Sequence, residues 1–221
     1  MNLAKLFLMV TSLALLSSCN SGKESKASAF LRENNRNYCY TETALVGSGG
    51  NRIPFSPYQY STLYGALDTL ETLKVFNTVY SKQYPDSTVV SDAFIREHAA
   101  RRVKQWKESP HYRNLSWEEF REYWLPYRIE TEKFCDYHAA LDAKYGHITN
   151  ALKQGMSVAE VTNMLQSDLR KRLVFDLRDH ASLNQPSVLE TMELGKGGCR
   201  GITTLTTLTL RNIGIVSAID E

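Results

Sequence analysis

The sequence lacks the patterns that announce a bound cofactor. It has no H-E-x-x-H and no C-x-x-C, and His98, His111, His138, His147 and His180 show no metal-ligand spacing. A zinc site is therefore not expected, and no other cofactor is implied. Gly195-Lys196-Gly197-Gly198 lacks the G-K-[ST] ending of a phosphate-binding loop. Charge of one sign is scarce too. The 26 Lys and Arg stand against 24 Asp and Glu, a formal +2 spread along the chain, which gives no electrostatic reason to expect nucleic acid. No internal repeat or low-complexity tract is visible.

What is present is an ordinary globular composition, 43% hydrophobic and 23% charged, with twelve Tyr, eight Phe and three Trp to fill a core. A chain of 221 residues suits one full domain, or one domain with a smaller appendage. Residues 1–18 stand apart from it. Lys5 supplies a positive start, and Leu6 to Leu16 form an apolar run too short to span a bilayer but typical of a signal peptide. Leu16-Ser17-Ser18-Cys19 resembles a bacterial lipoprotein box, which makes Cys19 the expected lipidation site. Two or three acyl chains, palmitate among them, hold stably because each buried CH₂ contributes about 0.8 kcal/mol. Residues 19–36, polar and containing Gly22, then read as a flexible tether. Lys23-Glu24 is weakly similar to signals that send some Gram-negative lipoproteins to the cell surface. The expected location is the cell envelope, with the lipid anchor in the outer membrane on either face.

After the tether, Tyr38-Cys39-Tyr40 and Ala44-Leu45-Val46 read as a small strand or a lid, closed by Gly47-Ser48-Gly49-Gly50. Ser56-Pro57-Tyr58-Gln59 has the residues of a capping box with Pro at the first helical position. Tyr60, Leu63, Tyr64, Leu67 and Leu70 then recur at helical spacing and predict a helix down to Pro85. A second helix is predicted from about Ser91 to Glu108, with Ile95, Ala99, Val103 and Trp106 on one face and Pro110 beyond its end. Ser116-Trp117-Glu118-Glu119 opens a short helix, and Trp106, Trp117, Phe120, Tyr123 and Trp124 predict an aromatic cluster. Phe134, Tyr137, His138, Leu141 and Tyr145 predict a helix capped by Gly146. Ser157-Val158-Ala159-Glu160 opens another, carrying Val161, Leu165, Leu169 and Leu173. The expected fold class is α+β: a mostly helical region over 37–180 leading into the helix-then-strand opening of a mixed core over 181–221.

The chemistry concentrates at Gly197-Gly198-Cys199. A glycine-rich loop delivers one cysteine to the start of a predicted helix, and Ile213-Gly214-Ile215-Val216-Ser217-Ala218-Ile219 follows with strand character. Glycines permit φ > 0 and leave room around a thiol, and a helix N-terminus favours thiolate over thiol. Cys199 is thus the expected nucleophile. Thr203, Thr204, Thr206, Thr207 and Thr209 weaken helix propensity, but Ile202, Leu205, Leu208 and Ile213 do not keep strand parity, so burial is expected to hold the segment helical. Arg200 either steers an acidic substrate or faces solvent. Cys39 and Cys135 either bridge or stand as buried thiols. His138, beside Tyr137 and Leu141, reads as a satisfied core histidine, and Asp176, Asp179 and His180 as residues without a catalytic role.

The run Gly197-Gly198-Cys199, a helix, Leu210-Arg211-Asn212-Ile213-Gly214-Ile215 and then a strand resembles the nucleophile segment of the transglutaminase-like superfamily. The stretch from Phe94 through Leu125-Pro126-Tyr127-Arg128 to Glu132 resembles the helical region that precedes this core in lipoproteins of Bacteroidota. The resemblance implies a papain-like core in which the cysteine attacks an amide carbonyl, assisted by a histidine and an aspartate on later strands. It implies a peptide or protein amide as substrate and carries over one catalytic residue, Cys199. No histidine follows Cys199 before Asp220-Glu221, so the core reads as incomplete after its first strand and its activity as impaired. Two functions remain open. One is a cysteine acyltransferase or amide hydrolase; the other is a non-catalytic binding or scaffolding lipoprotein that keeps the first half of the fold.

Overall fold

A narrow apolar stripe orders the segment that starts at residue 22. Residues 22–34 form a helix, α1, that buries Ala27 and Leu31 at an i, i+4 spacing in one cluster with Phe94, Ile95 and Trp106. The ammonium groups of Lys23 and Lys26 lie 4.3 and 4.2 Å from the ring centres of Trp106 and Trp117. This corrects the expectation of a flexible tether through residue 36. Polar composition hid a helix whose few apolar residues share one face. The computed structural model describes residues 22–35, 37–47, 52–54, 76–175 and 185–219. The expected export signal, Cys19, the stripe from Tyr60 to Leu70, and Asp176, Asp179 and His180 lie outside the described residues.

Strands β1 (Cys39–Gly47), β2 (Arg52–Pro54) and β3 (Phe76–Pro85) form an antiparallel sheet in the order β2-β1-β3. Cys39 opposes Pro85 and Ala44 opposes Tyr80, with an irregularity between Val46 and Gly47. The helix expected down to Pro85 is therefore overturned over 76–85. Residues 76–85 bring Phe76, Tyr80 and Tyr84 to the same parity and carry the β-branched Thr78 and Val79, which suit a pleated ladder once β1 supplies a partner. The two short apolar pieces at 38–46 are one continuous strand.

The remaining described elements are helices α2 (Asp86–Val89), α3 (Asp92–Glu108), α4 (Trp117–Tyr123), α5 (His138–Lys153) and α6 (Val158–Arg172), strand β4 (Val174–Phe175), helix α7 (Val188–Leu194), strand β5 (Lys196–Gly197) and helix α8 (Cys199–Ile213). The result is a mainly helical protein with small sheets, α+β at the level of class. Serine starts four of these helices. Ser91, Ser116, Ser157 and Ser187 each accept from the backbone N–H three residues on, and the last three close full capping boxes with Glu119, Glu160 and Glu190. Glycine does not stop α5 where expected. Gly146 sits inside it, Ile148 and Leu152 extend its buried face, and the turn comes at Gly155 with φ 99°.

The buried apolar residues fall into two clusters. One gathers Tyr137, Leu141, Leu165, Leu205 and Leu208 from α5, α6 and α8. The other gathers α1, α3 and α4, with Trp106 stacked on Phe120 at 4.3 Å between centroids and Trp124 fully buried. Tyr123 departs from the expected aromatic cluster and is exposed.

Candidate functional site

The segment that delivers Cys199 is built by backbone geometry. Helix α7 ends at Gly195, whose φ of 63° is left-handed and whose Cβ, if present, would stand 3.2 Å from the Arg172 carbonyl. The chain then enters β5, which pairs in parallel with β4, Val174 opposite Lys196 and Phe175 opposite Gly197. Gly198 is the N-cap of α8 in extended backbone and has no side chain with which to cap it. Cys199 is the first residue of the helix and is exposed. Of the glycines around the thiol, only Gly195 needs a positive φ; Gly197 and Gly198 do not. Burial of the threonine-rich segment is as expected: Thr204, Thr207 and Thr209 are buried, and the half-buried Thr206 donates Oγ1 back to Ile202 O at 2.7 Å, whereas Thr209 Oγ1 has no partner among the described residues.

Polar groups from other elements rim this end. Arg200 is exposed and its Nε lies 3.5 Å from Glu130 Oε2, so it is paired and faces solvent. Gln185 Nε2 donates to Thr204 Oγ1 at 3.1 Å, and Gln185 Oε1 accepts from Thr131 Oγ1 at 3.3 Å. Gln185 and Glu130 carry no motif that singles them out; only the packing of 130–133 beside α8 brings them here. Cys39 and Cys135 are free, half-buried thiols, and burial pushes the Cys135 thiol above its ordinary pKa.

The opposite end of α8 is locked in place. Its last carbonyls accept from side chains: Arg211 O from Arg102 Nη1 at 2.5 Å and Trp124 Nε1 at 3.1 Å, and Asn212 O from Gln105 Nε2 at 2.7 Å. The fully buried Arg102 cation thus sits against the negative end of a helix dipole. Arg211 in turn donates to Ser217 O and Pro126 O, at 2.9 and 3.2 Å, and burial lowers its pKa to about 10. Residues 215–219, expected as a strand, form no ladder among the described residues and are held to α8 by such contacts, including Ser217 Oγ to Thr207 O at 3.1 Å.

Two histidines gather here. His98 is buried, and its ring nitrogens face Leu125 O and His138. His138 reaches Asn212 on its other side. Asn212 is thirteen residues along α8 from Cys199, about 20 Å at a helical rise of 1.5 Å per residue. His138 therefore serves the far end of the helix and is out of reach of the thiol. Burial, followed by the Arg102 charge, lowers the His98 pKa well below its ordinary value and that of His138 to about 4. As pH falls, the unfolded imidazoles bind protons first, so the folded state loses stability below about pH 6.5; the part due to His138 is fully lost once pH passes below about 4. Urea midpoints measured at intervals across that window should fall, and His138→Gln should flatten the slope. A midpoint independent of pH would contradict neutral burial.

Among the described residues no group of three His, Cys, Asp or Glu side chains is placed to hold a metal ion, and no helix is long and apolar enough to cross a membrane. The chain matches no family model, no curated protein and no solved structure in comparisons of each kind. Fold and site together define a mainly helical α+β protein in which, among the described cysteines, Cys199 alone is exposed, at the head of α8.

Proposed function

We propose that the protein is a lipid-anchored envelope protein of transglutaminase-like type, in which the Cys199 thiol acts on amide carbonyls. One observation supports this most: Cys199 is exposed at the first position of α8, directly after β5 and a side-chain-free N-cap. Sulfur attacks the carbonyl carbon, the C–N bond breaks, the amine leaves with a proton, and water or a second amine resolves the thioester. Metal is not required for such a step. In the family that the chain resembles, a histidine and a carboxylate on later strands move the protons. The helical region ahead of α7 and the short β4-β5 pair fit the opening of such a core. Cys19 would anchor the chain, with α1 beginning three residues later.

A brief iodoacetamide pulse on the folded full chain at neutral pH should modify Cys199 well before Cys39 or Cys135, because of these three described cysteines only Cys199 is exposed. An activated acyl ester should then leave a mass adduct on Cys199 that Cys199→Ala lacks. A chain that begins at Cys19 should partition into detergent. Labelling of Cys199 no faster than the others, with no adduct, defeats the nucleophile reading.

A second reading is a non-catalytic binding or scaffolding lipoprotein. It is favoured by the placement of His98 and His138 in a buried network at the far end of α8 from Cys199.

A further inference from the structure

Four hydrogen bonds run in line through the interior at the C-terminal end of α8. His98 Nε2 lies 2.8 Å from Leu125 O, and His98 Nδ1 lies 2.8 Å from His138 Nε2. His138 Nδ1 lies 2.8 Å from Asn212 Oδ1, and Asn212 Nδ2 donates to Asp142 Oδ1 at 3.0 Å. Each separation is that of a full hydrogen bond, and each bond needs one proton. The groups supply three, one from the amide and one from each neutral imidazole, while the carbonyl and the carboxylate at the two ends only accept. The count is one proton short. Turning the Asn212 amide over does not change it. The neutral imidazoles are then satisfied, but Asn212 Oδ1 faces Asp142, which must be a protonated acid to donate.

We propose that Asp142, Asn212, His138 and His98 form a one-proton latch on the end of α8, closed when the chain binds a fourth proton and broken at one link when that proton leaves. With the amide placed as described, the extra proton makes one imidazolium shared by the histidine pair; with the amide turned, it sits on Asp142. Solvent delivers it at Asp142, which is 44% exposed and, with Arg101, lines a cleft of about 370 Å³ that reaches Ile213 and Gly214. Rotation of the amide exchanges the two forms, and nothing but the proton is taken up.

The surroundings hold the latch in balance. From α3, Arg101, which grips Asp142 with both terminal nitrogens, and Arg102 oppose added charge on the imidazoles. Asp136, just before α5, and Asp142 favour it. Tyr137 is neutral, and Arg211 of α8 turns its guanidinium to Ser217 and Pro126. The segment after α4 presents the Leu125 carbonyl and the Tyr127 ring, edge-on to His98 at 6.0 Å, and Phe94 stacks on both imidazoles at 5.5 and 5.9 Å. Geometry asks for the proton, while burial and two arginines resist it. The latch therefore responds to acidity in how firmly the end of α8 is seated, whatever chemistry Cys199 performs. Global stability still falls toward acid, since unfolded imidazoles bind protons more readily, so the latch is read locally.

The test is nuclear magnetic resonance on the full chain, with ¹⁵N-labelled histidine and ¹³C-labelled aspartate, between pH 8 and about 3, far enough below the His138 pKa of about 4 for the proton to be taken up. Protons are counted on the four ring nitrogens of His98 and His138 and on the Asp142 carboxyl. The expected count rises from two to three with one midpoint below 6.5. The Asn212 side-chain amide should shift with the same midpoint, and the protection of the Asn212 and Ile213 backbone amides should rise about tenfold, the effect of one net hydrogen bond. In Asn212→Leu these local responses should vanish. A count fixed at two or at three across the range, or two histidines titrating without any response at Asn212, overturns the latch; the wild-type spectra decide this even if the variant does not fold.

Discussion

Asp86→Ala should destabilise the protein by about 3–5 kcal/mol, because it strands a buried guanidinium. Asp86 is 0% exposed and Arg128 2%. Arg128 donates from Nε to Asp86 Oδ2 at 2.8 Å and from Nη2 to Oδ1 at 2.5 Å, and Tyr127 adds its hydroxyl at 3.0 Å. The backbone N–H of Asp86 donates to Tyr38 O at 2.9 Å, so one residue joins the start of α2, the segment before β1 and the Leu-Pro-Tyr-Arg turn. Among the described residues Arg128 Nη1 has no partner, so none of them offers the cation a second carboxylate contact through that nitrogen. Arg128→Met should cost a similar amount by leaving the carboxylate unpaired. Asp86→Leu combined with Arg128→Met should recover much of the loss, since a buried pair gains little over well-packed apolar groups. Urea unfolding followed by circular dichroism measures all three. A cost under about 1 kcal/mol for either single variant, the range of a surface pair, would mean the pair is not closed in solution.

Trp124→Ala should cost about 3–5 kcal/mol, from lost burial and the cavity left behind. Trp124 is fully buried, edge-on to Tyr112 at 5.4 Å and to Phe120 at 6.1 Å, and its Nε1 donates to Arg211 O. It also lies 3.9 Å from where Gly214 would carry a Cβ, so it fills the angle at which the chain leaves α8. Trp124→Phe keeps most of the volume and removes the donor, and should cost about 1–2 kcal/mol, since Arg102 still serves the same carbonyl. Thermal unfolding gives both values. Equal losses for Ala and Phe would assign the whole effect to the hydrogen bond and refute the packing account.

Helix starts were the most legible part of the fold. Ser116 and Ser157 cap as expected because a serine followed by a glutamate three residues on satisfies orphan N–H groups locally, without tertiary help; Ser91 caps α3 with its own side chain alone, Phe94 standing where the glutamate would be. Ser187 and Glu190 carry the same signal and open α7, which the reading by periodicity passed over because the helix is only seven residues long. The exposed cysteine at the head of α8 was likewise legible, from one residue type beside glycines and a periodic apolar run.

The chain by itself therefore determined where helices start between 92 and 172, where α8 begins, and that Cys199 heads it, since caps and apolar spacing act over a few residues; it did not determine where α5 ends, because Gly146 lies inside the helix and the buried face runs on to Leu152. Tertiary structure decided the rest. It made 76–85 a strand, because β1 offered a ladder that local propensity could not anticipate. It turned 22–34 from an apparent tether into a helix, because two apolar residues suffice when Trp106 and Trp117 stand opposite. It also spent His98 and His138, forty residues apart, on the far end of α8 from the cysteine. Hydrogen bonds between distant residues depend on how helices pack, and no spacing along the chain encodes that.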